Sequence, residues 1–125
     1  ERKRIDEQLD CILCACCHAS CTMTLTDERY LGPAIMVKAD RFASDSRDQA
    51  RPTRLGMVNS EHGVWRCHTI FNCAEVCPKQ INPTHAIARL KRGAIMHRLL
   101  HPFQRAPQQV LSAECKVLKG EDPRE

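Results

Sequence analysis

Cys11-Ile12-Leu13-Cys14-Ala15-Cys16-Cys17-His18-Ala19-Ser20-Cys21 is the stretch whose reading decides the fold. Cys11, Cys14, Cys17 and Cys21 follow the spacing C-x2-C-x2-C-x3-C, the pattern of thiolates that wrap an iron–sulfur cluster. A second group follows later in the chain: Cys67, Cys73 and Cys77, the last with Pro78 behind it. It would repeat the first spacing if Ile70 were a cysteine. The two groups read as ligands for two clusters, and position 70 makes them unequal.

The paired groups resemble the bacterial two-cluster ferredoxin arrangement, in which the fourth cysteine of each run ligates the other cluster. That resemblance implies crossing. Cys11, Cys14 and Cys17 would take their fourth ligand from Cys77, while Cys21 would join Cys67 and Cys73. The first site then has four thiolates and suits [4Fe–4S]. The second has three, and the corner facing Ile70 suits [3Fe–4S], a cluster that lacks one iron.

Zinc is the plainer alternative, because two-residue spacings between cysteines also build closed tetrahedral sites, and the chain has six histidines. Zinc ligands usually come as two separated pairs. Here four cysteines crowd between positions 11 and 21, and a Cys-Pro closes the second group. A disulfide framework fits least. The cysteines number nine, an odd count, and the opening residues do not read as a secretory signal. Cys16, next to the ligand Cys17, is expected to be a small buried residue beside the cluster. Cys115 receives no chemistry.

At 125 residues, with three Phe, one Trp and one Tyr, the chain has material for one domain with a thin core. Bound clusters are therefore expected to supply much of the folding free energy. The formal charge of +4 counts cysteines as neutral, so it carries no nucleic-acid inference. Arg89, Lys91, Arg92, Arg98 and Arg105 read as a solvated helix face, with attraction to an anionic membrane surface as the lesser reading. No apolar run approaches the length needed to span a bilayer.

The pattern along the chain is helical, and the fold class expected is mainly α. Residues 1–10 form a charged lead-in with Ile5 and Leu9 four apart. Thr22 to Thr26 is short and polar. Gly32-Pro33 opens a helix to about Phe42, with Pro33 in the first turn and Ile35, Met36, Ala39 and Phe42 as its core face. A short helix is expected within Ser44 to Asn59, then a loop through Gly63. Asn82-Pro83 starts the longest helix, to about Leu100, with Ile87, Leu90, Ala94 and Ile95 buried and Pro102 ending it. Residues 11–100 thus read as the domain and 101–125 as an extension with a possible amphipathic segment, Gln108 to Lys119.

The run Cys11 to Cys17, with Gly32-Pro33-Ala34, Asp45-Ser46-Arg47-Asp48, Arg66-Cys67-His68-Thr69-Ile70, Cys77-Pro78-Lys79 and Asn82-Pro83, resembles the C-terminal half of the succinate dehydrogenase iron–sulfur subunit of respiratory complex II. The resemblance runs from about Arg2 to Leu100 and implies an α-helical ferredoxin fold. It supports Cys11, Cys14, Cys17 and Cys77 on [4Fe–4S], and Cys21, Cys67 and Cys73 on [3Fe–4S]. It also implies electron relay from a flavoprotein subunit to quinone held with membrane anchor subunits, at the matrix face of the mitochondrial inner membrane. A bacterial cytoplasmic membrane is the alternative. His68 and Ile70 fall at the quinone site, where His68 would titrate or hydrogen-bond.

Three departures accompany the resemblance. Thr22-Met23-Thr24-Leu25-Thr26 stands where the family has proline and an aromatic pair with a quinone-contacting tryptophan, and Trp65 is expected to pack against the cluster loop instead. The family's [2Fe–2S] domain is absent, so the sequence is either a piece of a longer subunit or one half of a split subunit of the kind found in some protists. The residues beyond Leu100 lack a counterpart. A fumarate reductase iron–sulfur subunit is the runner-up, and a zinc-stabilised interaction module the alternative outside redox chemistry.

Overall fold

The computed structural model describes residues 5–100. Regular structure among them is entirely helical: α1 Asp6–Leu9, α2 Cys16–Ala19, α3 Thr22–Thr26, α4 Gly32–Ala43, α5 Arg51–Val58, a 3-10 turn Val64–Arg66, α6 Asn72–Glu75 and α7 Pro83–Leu100. The expectations for Cys115, Arg105, Pro102 and the segment Gln108 to Lys119 lie outside the described residues.

The two long helices start where the sequence prepares them. Pro33 and Pro83 occupy the first turns of α4 and α7, where a missing N–H costs nothing. Asn82 Oδ1 accepts from the His85 amide at 3.2 Å and so satisfies one of the open donors of α7. α5 is entered through two aspartate turns. Asp45 accepts from the backbone and guanidinium of Arg47, and Asp48 accepts from the Ala50 amide and Arg54 Nε. Thr22 to Thr26 forms a single helical turn, α3.

α4 and α7 pack on one another, and α5 packs against both. Met36, Leu55, Val58, Val64, Ile87 and Leu90 fill the space between them. The core stripe of α4 is Met36, Val37, Asp40 and Ala43, rotated from the expected one. Ile35 is 50% exposed and Phe42 39% exposed. The rotation is set by Asp40, which is 1% exposed and receives Gln8 Nε2 at 3.1 Å, Arg89 Nη2 at 2.6 Å and Ser44 Oγ at 3.3 Å. One carboxylate thereby ties α1, α4 and α7 together. On α7, Ile87, Leu90 and Ala94 are buried as expected, but Ile95 is 47% exposed because it lies past the stripe that meets α4 and α5.

Two of the five basic residues assigned to a solvated face have internal partners. Arg89 pairs with Asp40, and Lys91 Nζ donates to the Cys67 carbonyl at 2.9 Å. Arg92 and Arg98 are exposed. No described helix is long and apolar enough to cross a membrane.

Candidate metal centre

The two cysteine loops share one backbone. Moving Cys11 onto Cys67, a shift of 56 residues, carries Leu13 to Thr69, Ala15 to Phe71, and α2 to α6. Leu13 and Ala15 have φ of 57° and 61°, and Thr69 and Phe71 have 61° and 70°. The hydrogen bonds shift with them. Cys21 N donates to His18 O at 3.2 Å and Cys77 N to Ala74 O at 3.4 Å; Thr24 N donates to Cys21 O and Gln80 N to Cys77 O. Even the anchors correspond: Lys38 Nζ on α4 donates to the Cys11 carbonyl at 3.2 Å, as Lys91 on α7 does to Cys67. Ile70 stands in the second loop where Cys14 stands in the first.

Four non-glycine residues in the left-handed region are unfavourable, by about 1 kcal/mol each. The same winding leaves the amides of residues 12–15 and 68–71 outside the backbone hydrogen bonds formed among the described residues. Alternating right- and left-handed residues turn successive N–H groups to the concave side of a loop, where they bind anions. Both loops are built to surround a negatively charged group. The effect is visible at Cys14, whose thiol is shifted below its ordinary value mainly by the Cys16 backbone amide.

Four of the seven thiols divide between the two core clusters. Cys11 and Cys77 pack against Val37, Ile81 and Ala86, while Cys21 and Cys67 pack against the larger cluster around Tyr30, Met36 and Ile87. Electrostatically the two groups also touch, through Cys73 acting on Cys17. Cys17 is pushed up to about 11, first by burial and then by the negative thiols of Cys11, Cys73, Cys77 and Cys14. Cys73 is raised by burial, with Thr84 opposing and Cys67 and Cys21 adding to the rise. Crowded thiols that resist ionisation alone are what a multiply charged metal group reverses.

These donors fit an iron–sulfur cluster better than single zinc ions. Thiols gathered on two loops of free amides suit a larger anionic group, whose charge those amides can meet.

A small cavity of about 20 Å³, opening to solvent, lies at the second thiol group, walled by Cys21, Cys67, Cys73, Tyr30, His68 and Ile70 among others. His68, Ile70 and Phe71 are exposed at its rim. Two expectations fail here. Cys16 is exposed and not buried, because it opens α2, a single turn with no buried residue. Trp65 turns away from the cluster loop: its Nε1 donates to Asn59 Oδ1 at 2.7 Å, and with Ala94, Ile95 and Leu99 it lines a surface depression on α7. Tyr30 and Thr84, both buried at the second thiol group, were not singled out by sequence. Only the nearness of Thr84 to Asn82-Pro83 offered a signal.

The fold and donor set define a two-cluster iron–sulfur domain, and the chain belongs to the 4Fe-4S dicluster domain family, whose model matches residues 7–81. It is similar to the mitochondrial succinate dehydrogenase [ubiquinone] iron-sulfur subunit of Candida glabrata, with 46% identity over 93 residues. The match covers 74% of this chain and 37% of that relative.

Proposed function

We propose that the chain is the two-cluster half of the iron–sulfur subunit of a succinate:quinone oxidoreductase, working as an electron carrier between partner subunits. What supports this reading most is the shared loop backbone with Ile70 in the place of Cys14, together with the division of thiols between two core clusters. Cys11, Cys14, Cys17 and Cys77 would hold [4Fe–4S], and Cys21, Cys67 and Cys73 would hold [3Fe–4S]. Bound there, the clusters would each take up and release single electrons.

The rest is done by the chain. The free amides of both loops would donate toward cluster sulfur and favour the more negative, reduced state. Lys38 and Lys91 fix the loop carbonyls and place a positive charge beside each thiol group. α4 and α7 close the inner side and exclude water, which keeps relaxation on electron arrival small. At the second site the exposed rim of His68, Ile70 and Phe71 is the face offered to quinone, with His68 able to donate a hydrogen bond to it. The flavoprotein, the [2Fe–2S] domain and the membrane anchors are the partners this reading requires, at the matrix face of the mitochondrial inner membrane.

Low-temperature electron paramagnetic resonance on the native complex tests it, alongside the variant Ile70→Cys. The wild type is expected to show an oxidised [3Fe–4S] signal that disappears with succinate. Ile70→Cys, adding a thiol where the first loop has one, is expected to abolish that signal and bind one more iron. A wild type without the signal, or a variant with unchanged signal and iron content, would sink the ligand assignment.

A further inference from the structure

Tyr30, the only tyrosine of the chain, ends the turn before α4. Its amide donates to Asp27 O at 3.0 Å, and the next amide, of Leu31, donates to His62 O. Both bonds hold the ring inward, and the residue is 4% exposed in the core beside Met36, Ile87 and Leu90. Its hydroxyl is buried and completes no hydrogen bond. A buried phenol without a partner is unfavourable and rare, so what lies around it matters. It shares the wall of the second pocket with Cys67, Cys21 and Cys73, and burial first, then the negative charge of those three sulfurs with Cys67 foremost, hold the phenol in its protonated, donating form. Across the pocket Thr84, 5% exposed, has Oγ1 3.5 Å from Cys73 Sγ.

At the first thiol group, among the described residues, the side-chain donors go to backbone carbonyls: Ser20 Oγ to Cys17 O at 3.4 Å and Cys16 Sγ to Cys14 O at 3.9 Å. The core neighbours of that group are Val37, Ile81 and Ala86, none of which carries a hydroxyl. Two sites with the same loop backbone therefore differ in side-chain donors. Hydrogen bonds to cluster sulfurs are a main control of reduction potential.

We propose that the Tyr30 hydroxyl donates a hydrogen bond to the Cys67 sulfur when that sulfur is a metal-bound thiolate, with Thr84 donating to Cys73, and that this raises the reduction potential of the second cluster relative to the first. The inference rests on the second thiol group being a cluster site. Reduction there adds one electron and one negative charge to the iron, sulfide and thiolate set. No bond breaks, and the phenol keeps its proton while its bond to sulfur shortens. The direction is useful: an electron arriving from the first site moves downhill to the second.

Redox titration of the assembled complex, followed by electron paramagnetic resonance, compares the wild type with Tyr30→Phe, which removes one oxygen and keeps the ring. The variant is expected to lower the reduced-to-oxidised ratio of the second cluster about tenfold at fixed potential, a fall of about 59 mV in midpoint for one electron, and to leave the first cluster unmoved. In D2O, pulsed measurements on the wild type are expected to show a deuteron coupled to the second cluster that Tyr30→Phe lacks. If Tyr30→Phe fails to assemble, 3,5-difluorotyrosine at position 30, a stronger donor of nearly the same size, is expected to raise the potential. An unmoved potential in either variant, or a deuteron coupling that survives Tyr30→Phe, overturns the role of Tyr30. A wild type without a [3Fe–4S] signal is a different failure, that of the site assignment itself.

Discussion

Gly32→Ala should damage the first metal site without touching a ligand. Gly32 has φ of +82°, and a Cβ there would overlap His18 Nδ1 and stand 2.5 Å from His18 Cε1. The left-handed conformation costs an alanine about 1–2 kcal/mol. Forcing the imidazole aside adds about 1–3 kcal/mol, the usual range for an overpacked interior. The sum is about 3 kcal/mol, and for a domain of this size each kcal/mol corresponds to roughly 4–8 °C of melting temperature. His18 lies in α2 one residue after Cys17, so its displacement passes directly to a ligand. Thermal loss of cluster absorption, scanned anaerobically at one rate, should shift down by roughly 15 °C. A double-mutant cycle separates the two terms: His18→Ala removes the overlap, so His18→Ala/Gly32→Ala should recover the steric share and leave the backbone share. The reasoning fails if Gly32→Ala melts within a few degrees of the wild type, or if the double variant is no better than the sum of the single ones.

Asp40→Asn removes a buried charge that three neighbours address. Arg89 keeps its side chain 35% exposed and can turn to water, which limits the loss to about 2 kcal/mol, below the range for a fully buried pair; the same thermal scan reads it, and Arg89→Met should make a second loss small. Anaerobic chelation of iron should abolish near-ultraviolet dichroism and the cooperative melt, because the strained loops lose the group their amides surround; an iron-free sample that melts cooperatively would contradict this.

The helix boundaries were legible because their signals are local. Gly32-Pro33 and Asn82-Pro83 each combine a start residue with a proline, and α4 and α7 begin there. The faces were less legible. Ile35, Met36 and Val37 are consecutive apolar residues, so the core stripe of α4 is ambiguous within the helix. A carboxylate between Ala39 and Arg41 looks like a solvent residue. Its partner Arg89 is 49 residues away, so nothing nearby in sequence marks Asp40 as the residue that sets the rotation. Trp65 was read by its nearness to Cys67, yet Asn59 captures its indole N–H and turns it toward α7. Ligand spacing survives translation into structure because a loop this short has few conformations. Long-range polar partners do not.

Loss of one cysteine would be expected to free the second loop, but the loop keeps the φ values, hydrogen bonds and lysine anchor of the first. The backbone is therefore held by its surroundings and not by the fourth thiol. Side chains alone then distinguish the two sites. Ile70 is 50% exposed and opens the ligand-free corner outward, beside His68 and Phe71, while Tyr30 and Thr84 close the inner side with hydroxyls. In the proposed reading, a site closed by donors within and opened by an apolar residue without would hold an electron briefly and surrender it at the surface. At the first site the same corner is also exposed, but a thiol, Cys14, stands there, and the inner side is packed by the apolar Val37, Ile81 and Ala86. The direction of flow proposed for this chain thus rests on two differences set on one repeated backbone: a donor gained on the inside and a ligand lost on the outside.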